Sequence, residues 1–240
     1  MTFNERVKRS WESALAVLNP SQKELDYALQ LHRESLVWDA YAFVPTRISN
    51  LKLLEQCINE GASRNEIKNR LENDSQVNFL QDSKMRSEYA TAWEKSGVDC
   101  VFLNCGEESN HIDTLLKRFA RYKHSADLYP DMLRFCSFPD AVSNAAQEKI
   151  PAIYPTCNGV PLPDRLESGE EALTFLETFF QLGIRMMHMT YNRNNLLGGG
   201  CAESNDIGLS DLGKAAIKEM NRLGIIPDIS HSSQNTSIDS

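Results

Sequence analysis

The stretch of sequence that decides the fold is GIRMMHMTYNRNNLLGGGCAESNDIGLSDLGKAAIKEMNRLGIIPDISHSS, residues 183–233. It predicts a strand, a long polar loop, an amphipathic helix and a second strand, and His231 follows where that second strand ends. Ser210 is the predicted N-cap of the helix and Gly224 its stop signal. In a βαβ unit of parallel strands, the side chains that act on ligands lie at the carboxyl ends of the strands. The position of His231 therefore makes it a candidate functional residue.

Outside this stretch, apolar runs alternate with amphipathic segments, which is the pattern of a parallel α/β sheet or barrel. The five predicted strands cover residues 36–43, 98–104, 150–156, 184–191 and 225–229. Serine–glutamate pairs at the spacing of a capping box predict three helix starts: Ser21 with Glu24, Ser63 with Glu66, and Ser168 with Glu171. We expect residues 1–35 to form an amino-terminal helical extension and residues 1–240 to form a single domain.

Composition and charge exclude several classes of protein. The net charge of −8 argues against nucleic-acid binding, because phosphates require clustered Lys and Arg. No apolar run approaches the roughly 18 residues of a membrane span, and the charged amino terminus lacks the apolar segment of a signal peptide. We therefore expect a cytoplasmic protein. The six cysteines form no C-x-x-C pair, which predicts reduced thiols packed as small hydrophobic groups and no structural zinc site.

The amino-acid sequence of residues 183–233 resembles that of the membrane (renal) dipeptidases, a family of zinc-dependent (β/α)8-barrel hydrolases. The matching positions are Gly183, Arg185, Thr190, Asn192, Asn195, Gly208, Leu209, Gly213, residues 219–224, Asp228, Ser230 and His231. The resemblance implies an α/β fold, an incomplete TIM-type barrel with about five of the eight β/α units. It also implies a metal-dependent hydrolase that cleaves dipeptides or related small amides with metal-activated water.

Five β/α units leave the sheet of such a barrel open. An unpaired parallel edge exposes hydrogen-bonding groups and apolar side chains. Three explanations are open: the chain is a shortened member of the family, the sheet stays open, or a partner such as a second copy of the chain covers the edge. We favour a shortened member, because the resemblance continues without weakening up to His231.

The resemblance implies two zinc ions, held by a His-x-Asp pair after the first strand, a Glu after the third, and histidines after the fifth and sixth. In the first strand Asp39 and Pro45 match the family pattern, which places Tyr41 and Phe43 at the positions of the His and Asp ligands. Phe43 has no donor atom, and a Tyr oxygen is a poor zinc ligand near neutral pH. The two side chains either give the barrel mouth an aromatic lining, in which Tyr41 binds substrate, or fill the core.

The remaining strands keep one of the implied zinc ligands. Cys157 or Asn158 takes the place of the bridging Glu, and Asn158 is a candidate for substrate binding. The resemblance also implies a His after the fourth strand that contacts the tetrahedral intermediate, and Tyr191 replaces it here. We expect Tyr191 to donate a hydrogen bond to an oxyanion, and Asn192 to be a further substrate-binding residue. His231 occupies the position of the fifth-strand ligand and is the predicted zinc ligand.

Other groups near the mouth receive supporting or structural roles. His188 lies three residues before Tyr191, which predicts a side chain on the opposite face of the strand, in a packing or helix-facing role. Asp228 is the predicted support of His231, or a strand-end carboxylate with a structural role. Glu107 and His111 either line the mouth or belong to a solvated helix cap.

The glycines at 198–200 predict a mobile loop, and they lack the Lys and Ser or Thr of a phosphate-binding loop. The sequence as a whole favours a dipeptidase-like hydrolase with an altered site, acting on a small peptide or amide. One alternative is a metal-free barrel that binds a small ligand or a partner without catalysis. The other is a hydrolase of different chemistry with a single metal at His231.

Overall fold

Six strands form one parallel sheet in the computed structural model, which describes residues 3–44, 46, 50–106, 112–163 and 165–240. The strands are β1 (Trp38–Ala42), β2 (Cys100–Asn104), β3 (Arg134–Phe135), β4 (Ala152–Cys157), β5 (Met186–His188) and β6 (Ile226–Asp228). The order across the sheet is β1-β2-β4-β5-β6. The short strand β3 pairs with the beginning of β4, on the edge opposite to β2, and β5 pairs with the end of the same edge. The sheet is the half-barrel that the incomplete TIM-type prediction describes.

Ten α-helices surround the sheet in the described part of the chain. They are α1 (Phe3–Leu18), α2 (Gln22–Glu34), α3 (Leu51–Asn59), α4 (Arg64–Gln76), α5 (Ser83–Ser96), α6 (Ile112–Leu128), α7 (Pro139–Gln147), α8 (Gly169–Leu182), α9 (Asp211–Leu223) and α10 (Gln234–Asp239). A 3-10 helix, Asn78–Gln81, connects α4 to α5. The two helices α1 and α2 agree with the helical character predicted for residues 1–35. The assignment of these residues as an extension of a single domain stays a prediction.

The predicted helix starts are confirmed by side-chain caps. Ser21 and Ser63 form complete capping boxes, in which the serine accepts from the backbone of a glutamate whose carboxylate accepts from the serine backbone. Ser168 also caps its helix, but there the carboxylate of Glu171 accepts from Glu167 instead. Ser210 accepts from Gly213, as expected for the start of α9. These local signals therefore fixed the helix starts.

The five predicted strands are present in shorter form, and the sixth, β3, was missed by sequence analysis. Its two residues are too few to show a period of two. The prediction for 184–191 was also too long, because β5 ends at His188 and the chain then leaves the sheet. This early end changes which side chains can meet at the strand ends.

The two faces of the sheet bury different clusters. On the outer face, strand residues such as Leu103, Ile153 and Met187 pack against buried side chains of α5, α6, α8 and α9. On the inner face, Phe102 and Tyr154 join Trp38 in an aromatic group with ring centroids 5.1–5.5 Å apart. Because side chains alternate along a strand, the inner-facing positions nearer the carboxyl ends continue this layer. The aromatic group thus forms the floor below the strand ends.

The helices and the cysteines of the structure bear on two of the predictions made from composition. No helix within the described ranges is both long and apolar enough to cross a bilayer. All six cysteines are unpaired, and five of them are buried, as predicted for thiols packed as small hydrophobic groups.

Candidate active site

Polar side chains replace the aromatic floor at the carboxyl ends of the strands. Asn104 pairs in register with Thr156, and His188 pairs with Asp228, so each pair projects to one face of the sheet. Thr156 lies two residues beyond the inner-facing Tyr154 and therefore shares its face. All four of these polar groups thus lie inside the half-barrel, above its floor.

His188 is the centre of this group, contrary to the packing role predicted for it. Its Nε2 lies 2.8 Å from Oδ2 of Asp228, and the residue is only 2% exposed. Its ring centroid is 5.7 Å from that of Tyr41, 6.3 Å from that of Tyr191 and 5.8 Å from that of His231. The prediction was wrong because it extended strand alternation to Tyr191, whereas the strand ends at His188 itself.

Asp228 is bound to His188, so its predicted role as the support of His231 is wrong. Burial opposes ionisation of this carboxyl, but the hydrogen bonds from His188 and Ser230 outweigh it and lower the pKa of Asp228 to about 2. The carboxylate is therefore charged at neutral pH and acts only as a hydrogen-bond acceptor. His188 must then present the N–H of its Nε2 to Asp228.

His231 is oriented by Asn192 and by Tyr191. Its Nδ1 lies 2.9 Å from Oδ1 of Asn192, and its ring stacks on that of Tyr191 with centroids 4.1 Å apart. An amide oxygen is only an acceptor, so Nδ1 carries the proton, and Nε2 is the nitrogen with a lone pair. Asn192 and His231 both have left-handed backbone, with φ of 57° and 64°. Such backbone is uncommon outside glycine and concentrates at functional sites.

The loop between β5 and α9 holds these residues through the backbone. Gly198 and Gly200 form β-bridges with Leu209 and Ser232, and Gly199 donates to Oγ1 of Thr236. The glycines are buried, so the prediction of a mobile loop at 198–200 was wrong. A Cβ at Gly200 would meet the backbone carbonyl of Asn192, which explains why glycine is needed there.

Tyr41 and Asn158 meet on the opposite side of His188. The hydroxyl of Tyr41 donates to Oδ1 of Asn158 over 2.8 Å. Partial burial raises the pKa of Tyr41 above its usual value, and Tyr191 and Asp228 add to this rise. The Tyr41 hydroxyl is thus a neutral donor, and the 66% exposed Phe43 lies beside it with ring centroids 6.0 Å apart. Both rings line the mouth, so the core-filling alternative does not apply to Phe43.

The structure distinguishes the two candidates for the position of the bridging Glu. Cys157 is buried on the outer face, where its thiol donates to the backbone oxygen of Gly159. Burial also raises the pKa of Cys157, so the metal-binding thiolate is disfavoured. Asn158 reaches the mouth through its contact with Tyr41. The amide, and not the thiol, therefore belongs to the site.

The site thus has two sides of different chemistry. We call His188, Tyr191, Asn192, Asp228 and His231 the imidazole wall. We call Tyr41, Phe43 and Asn158 the aromatic wall. The two walls meet where the rings of Tyr41 and His188 lie 5.7 Å apart.

The donor groups of the two walls do not fit a binuclear zinc centre. Zinc sites in proteins use His, Cys, Asp or Glu, and the described residues contain no group of three such side chains that could hold a metal ion. The aromatic wall supplies a neutral phenol, a phenyl ring and an amide where the resemblance implies imidazole and carboxylates. Pro45, Glu107 and His111 lie outside the described residues. Among the described residues, only His231 retains the predicted ligand type.

Sequence analysis missed three polar groups of the site. The sequence pattern predicts a packing role for His188, and it does not single out Asn104 or Thr156. Asn104 is only 5% exposed and accepts a hydrogen bond from the backbone of Gly106, directly after β2. Each of the three is a polar residue at or near the last position of a buried strand, and this position is the signal that would have identified them.

Fold and site together define an incomplete (β/α)-barrel protein with its functional groups at the carboxyl ends of the strands. A family model described as membrane dipeptidase (peptidase family M19) matches residues 25–240. The chain belongs to this membrane dipeptidase family.

Solved structures support the same fold. An amidohydrolase from Pseudomonas aeruginosa is 21% identical to this chain, with a TM-score of 0.61. The alignment covers 88% of this chain and 52% of the amidohydrolase chain. The probable dipeptidase PvdM from the same organism is 19% identical with a TM-score of 0.60, covering 92% and 52%. A metallo peptidase from Rhodobacter sphaeroides, liganded with a phosphinate mimic of the dipeptide L-Ala-D-Ala, is 14% identical with a TM-score of 0.58, covering 85% and 60%. This chain therefore spans roughly half to three fifths of the length of these solved chains.

Proposed function

We propose that this protein is a dipeptidase-like hydrolase that acts on dipeptides or related small amides at the mouth of the half-barrel. The observation that carries the proposal is the family match over residues 25–240. The position of the polar groups, at the carboxyl ends of parallel strands, is where barrel enzymes bind substrates. The bound dipeptide mimic in one solved relative supports the choice of substrate class.

Within this proposal, the side chains of the mouth bind and orient the substrate. The hydroxyl of Tyr191 donates to the oxygen that becomes negative when the amide carbonyl is attacked. Tyr41 and Asn158 hold the other end of the small peptide by hydrogen bonds, and Asn192 keeps His231 in place. These roles need neutral donors and acceptors, which both walls supply.

We propose zinc binding only at His231, because its Nε2 carries a lone pair. A zinc ion would supply a bound water activated for attack. The described residues do not provide the remaining ligands, so we assign no step of hydrolysis to a metal. The six unpaired cysteines favour a reducing compartment such as the cytoplasm.

A metal-free binding protein is the second candidate function. The aromatic wall favours it, because Tyr41, Phe43 and Asn158 bind organic ligands well and metal ions poorly. Such a protein would bind the same small peptides without hydrolysing them. The two candidates therefore share their ligand and differ in turnover and metal content.

The deciding experiment measures zinc content and hydrolysis of L-Ala-D-Ala together. Purified protein is compared with His231→Ala and with a control, His124→Ala, which removes an exposed histidine of α6. The hydrolase predicts turnover, and near-stoichiometric zinc that falls in His231→Ala but not in the control. Saturable dipeptide binding without metal or turnover would support the second candidate. Absence of both binding and turnover in folded protein would contradict both.

A further inference from the structure

Two buried polar atoms inside the half-barrel have no hydrogen-bond partner among the described residues. They are Nδ1 of His188 and Oγ1 of Thr156, in residues that are 2% and 1% exposed. Native proteins pair most buried polar atoms, because an unpaired one carries an unfavourable desolvation energy. Thr156 pairs in register with Met186, two residues before His188, so the two unpaired atoms belong to one face of the sheet at neighbouring strand ends.

The chemistry of the imidazole follows from its partner. The Nε2–H of His188 donates a hydrogen bond to the carboxylate of Asp228, which can only accept. In the neutral ring, Nδ1 then carries a lone pair and accepts a hydrogen bond. The hydroxyl of Thr156 can accept as well. Both atoms are therefore complementary to an N–H donor.

The surroundings of His188 suit an organic donor better than a metal ion. Its ring is in contact with Tyr41, Tyr191 and His231, and the described residues contain no group of three metal-binding side chains. Two of these three rings, those of Tyr41 and His231, are exposed, so the group around His188 borders the solvent. The nearby negative charge of Asp228 favours a donor that carries a positive charge.

We propose that Nδ1 of His188 and Oγ1 of Thr156 form a subsite that binds an N–H group, amide or ammonium, of the small peptide. Asp228 is the positioning residue of this subsite, because its bond to Nε2 fixes the tautomer and the orientation of the ring. The inference rests on the proposed function, since it names the group of the peptide that the mouth recognises. His188 thereby becomes a ligand-binding residue of the imidazole wall.

A pair of substitutions separates the two nitrogens of His188. The amide of His188→Gln reaches the position of Nε2 and can still donate to Asp228, but it offers no acceptor in place of Nδ1. The amide of His188→Asn lies at the position of Nδ1 and loses Asp228. A purely structural histidine would be disturbed by His188→Asn and replaced well by His188→Gln. A ligand-binding Nδ1 predicts the opposite order for binding.

Binding of L-Ala-D-Ala is measured by titration calorimetry, and folding by thermal unfolding. We expect about tenfold weaker binding in His188→Gln and about threefold weaker binding in Thr156→Val, both with nearly unchanged folding. His188→Asn is expected to unfold at lower temperature but to bind within about threefold of the unsubstituted protein. Unchanged affinity in both His188→Gln and Thr156→Val would overturn the proposal.

A second measurement does not depend on dipeptide binding. Long-range 1H–15N NMR of the intact chain reports which nitrogen of His188 is protonated, and methylammonium and acetamide serve as N–H donors. We expect an unprotonated Nδ1 whose resonance moves on addition of either probe. If L-Ala-D-Ala does not bind but this NMR response is observed, the proposed function is contradicted and the proposed subsite is supported. A protonated Nδ1, no response, or a response to zinc alone would overturn the subsite.

Discussion

The imidazole wall and the aromatic wall meet at the same strand ends, yet they are held in place by different means. The imidazole wall is fixed by backbone: Asn192 and His231 have left-handed conformations, and Gly200 packs against the carbonyl of Asn192. The aromatic wall is held by side chains, through the hydrogen bond from Tyr41 to Asn158. The first wall also carries a charge, on Asp228, whereas the second is neutral. Substitutions in the first wall should therefore affect folding more than substitutions in the second.

The largest effect is expected from Gly200→Ala. The added Cβ would overlap the backbone of Asn192 and Arg193, which cannot move without displacing the whole loop. We expect a loss of more than about 3 kcal/mol in the free energy of unfolding, measured with urea. Gly169→Ala is the control, because its Cβ would make an ordinary contact 3.5 Å from Leu212. Equal stability of the two variants would show that the loop is not fixed by its backbone.

Asp228→Ala should have the next largest effect, since it leaves the buried His188 without its carboxylate. Removing the acceptor leaves the buried Nε2–H of His188 without a hydrogen-bond partner, so we expect a loss of about 2 kcal/mol in the free energy of unfolding. The matched control is Glu60→Ala, which breaks the exposed pair with Arg70 and should change this free energy by less than about 1 kcal/mol. A small effect of Asp228→Ala would mean that His188 does not depend on this carboxylate.

Low pH should lower the free energy of unfolding, because it protonates the carboxylate of Asp228. The pKa of Asp228 is about 2 in the folded protein, against the usual value of 3.8. A lowered pKa stabilises the folded state above the usual value, and this stabilisation disappears as pH falls through the folded value. We expect about 2 kcal/mol to be lost between pH 4 and pH 2. Unfolding free energies across this range should be flatter for Asp228→Asn, and parallel curves would contradict the assignment.

The smallest effect is expected in the aromatic wall, from Tyr41→Phe. This change removes one partly exposed hydrogen bond to Asn158 and keeps the ring, so it should lower the free energy of unfolding by about 1 kcal/mol. The pH dependence has the opposite sign to that of Asp228. Because the pKa of Tyr41 is raised, its contribution is present below the usual value and is lost as pH rises through the folded value. Tyr41→Phe should remove this alkaline loss, and urea unfolding above pH 10 checks it.

The local parts of the fold could be predicted from sequence because their signals are local. Capping boxes at Ser21 and Ser63, and the stop at Gly224, are each contained in a few consecutive residues. The two-residue strand β3 escaped detection because pairing with β4, and not its own pattern, makes it a strand. Such a pairing depends on the three-dimensional fold, so no short stretch of the sequence indicates it.

The membership of the site was predictable in part, without His188, Asn104 and Thr156, and its pairing was not predictable. Tyr41, Asn158, Tyr191, Asn192 and His231 were all candidates, and the structure brings them to one mouth. The partner of Asp228 was not predictable, because it depends on where β5 ends. A strand that ends three residues early turns His188 from a packing residue into the centre of the site.

Cys201 offers a site for chemical labelling at this mouth. It is the exposed one among the six cysteines, its thiol lies 3.5 Å from Oδ1 of Asn192, and its backbone donates to the carbonyl of His231. Burial shields the other five thiols from reagents, and it raises the pKa of Cys136 to about 11 and that of Cys105 to about 12. A maleimide fluorophore should therefore attach at one position without any engineering of the chain, and its emission would follow ligand occupancy beside the imidazole wall in real time.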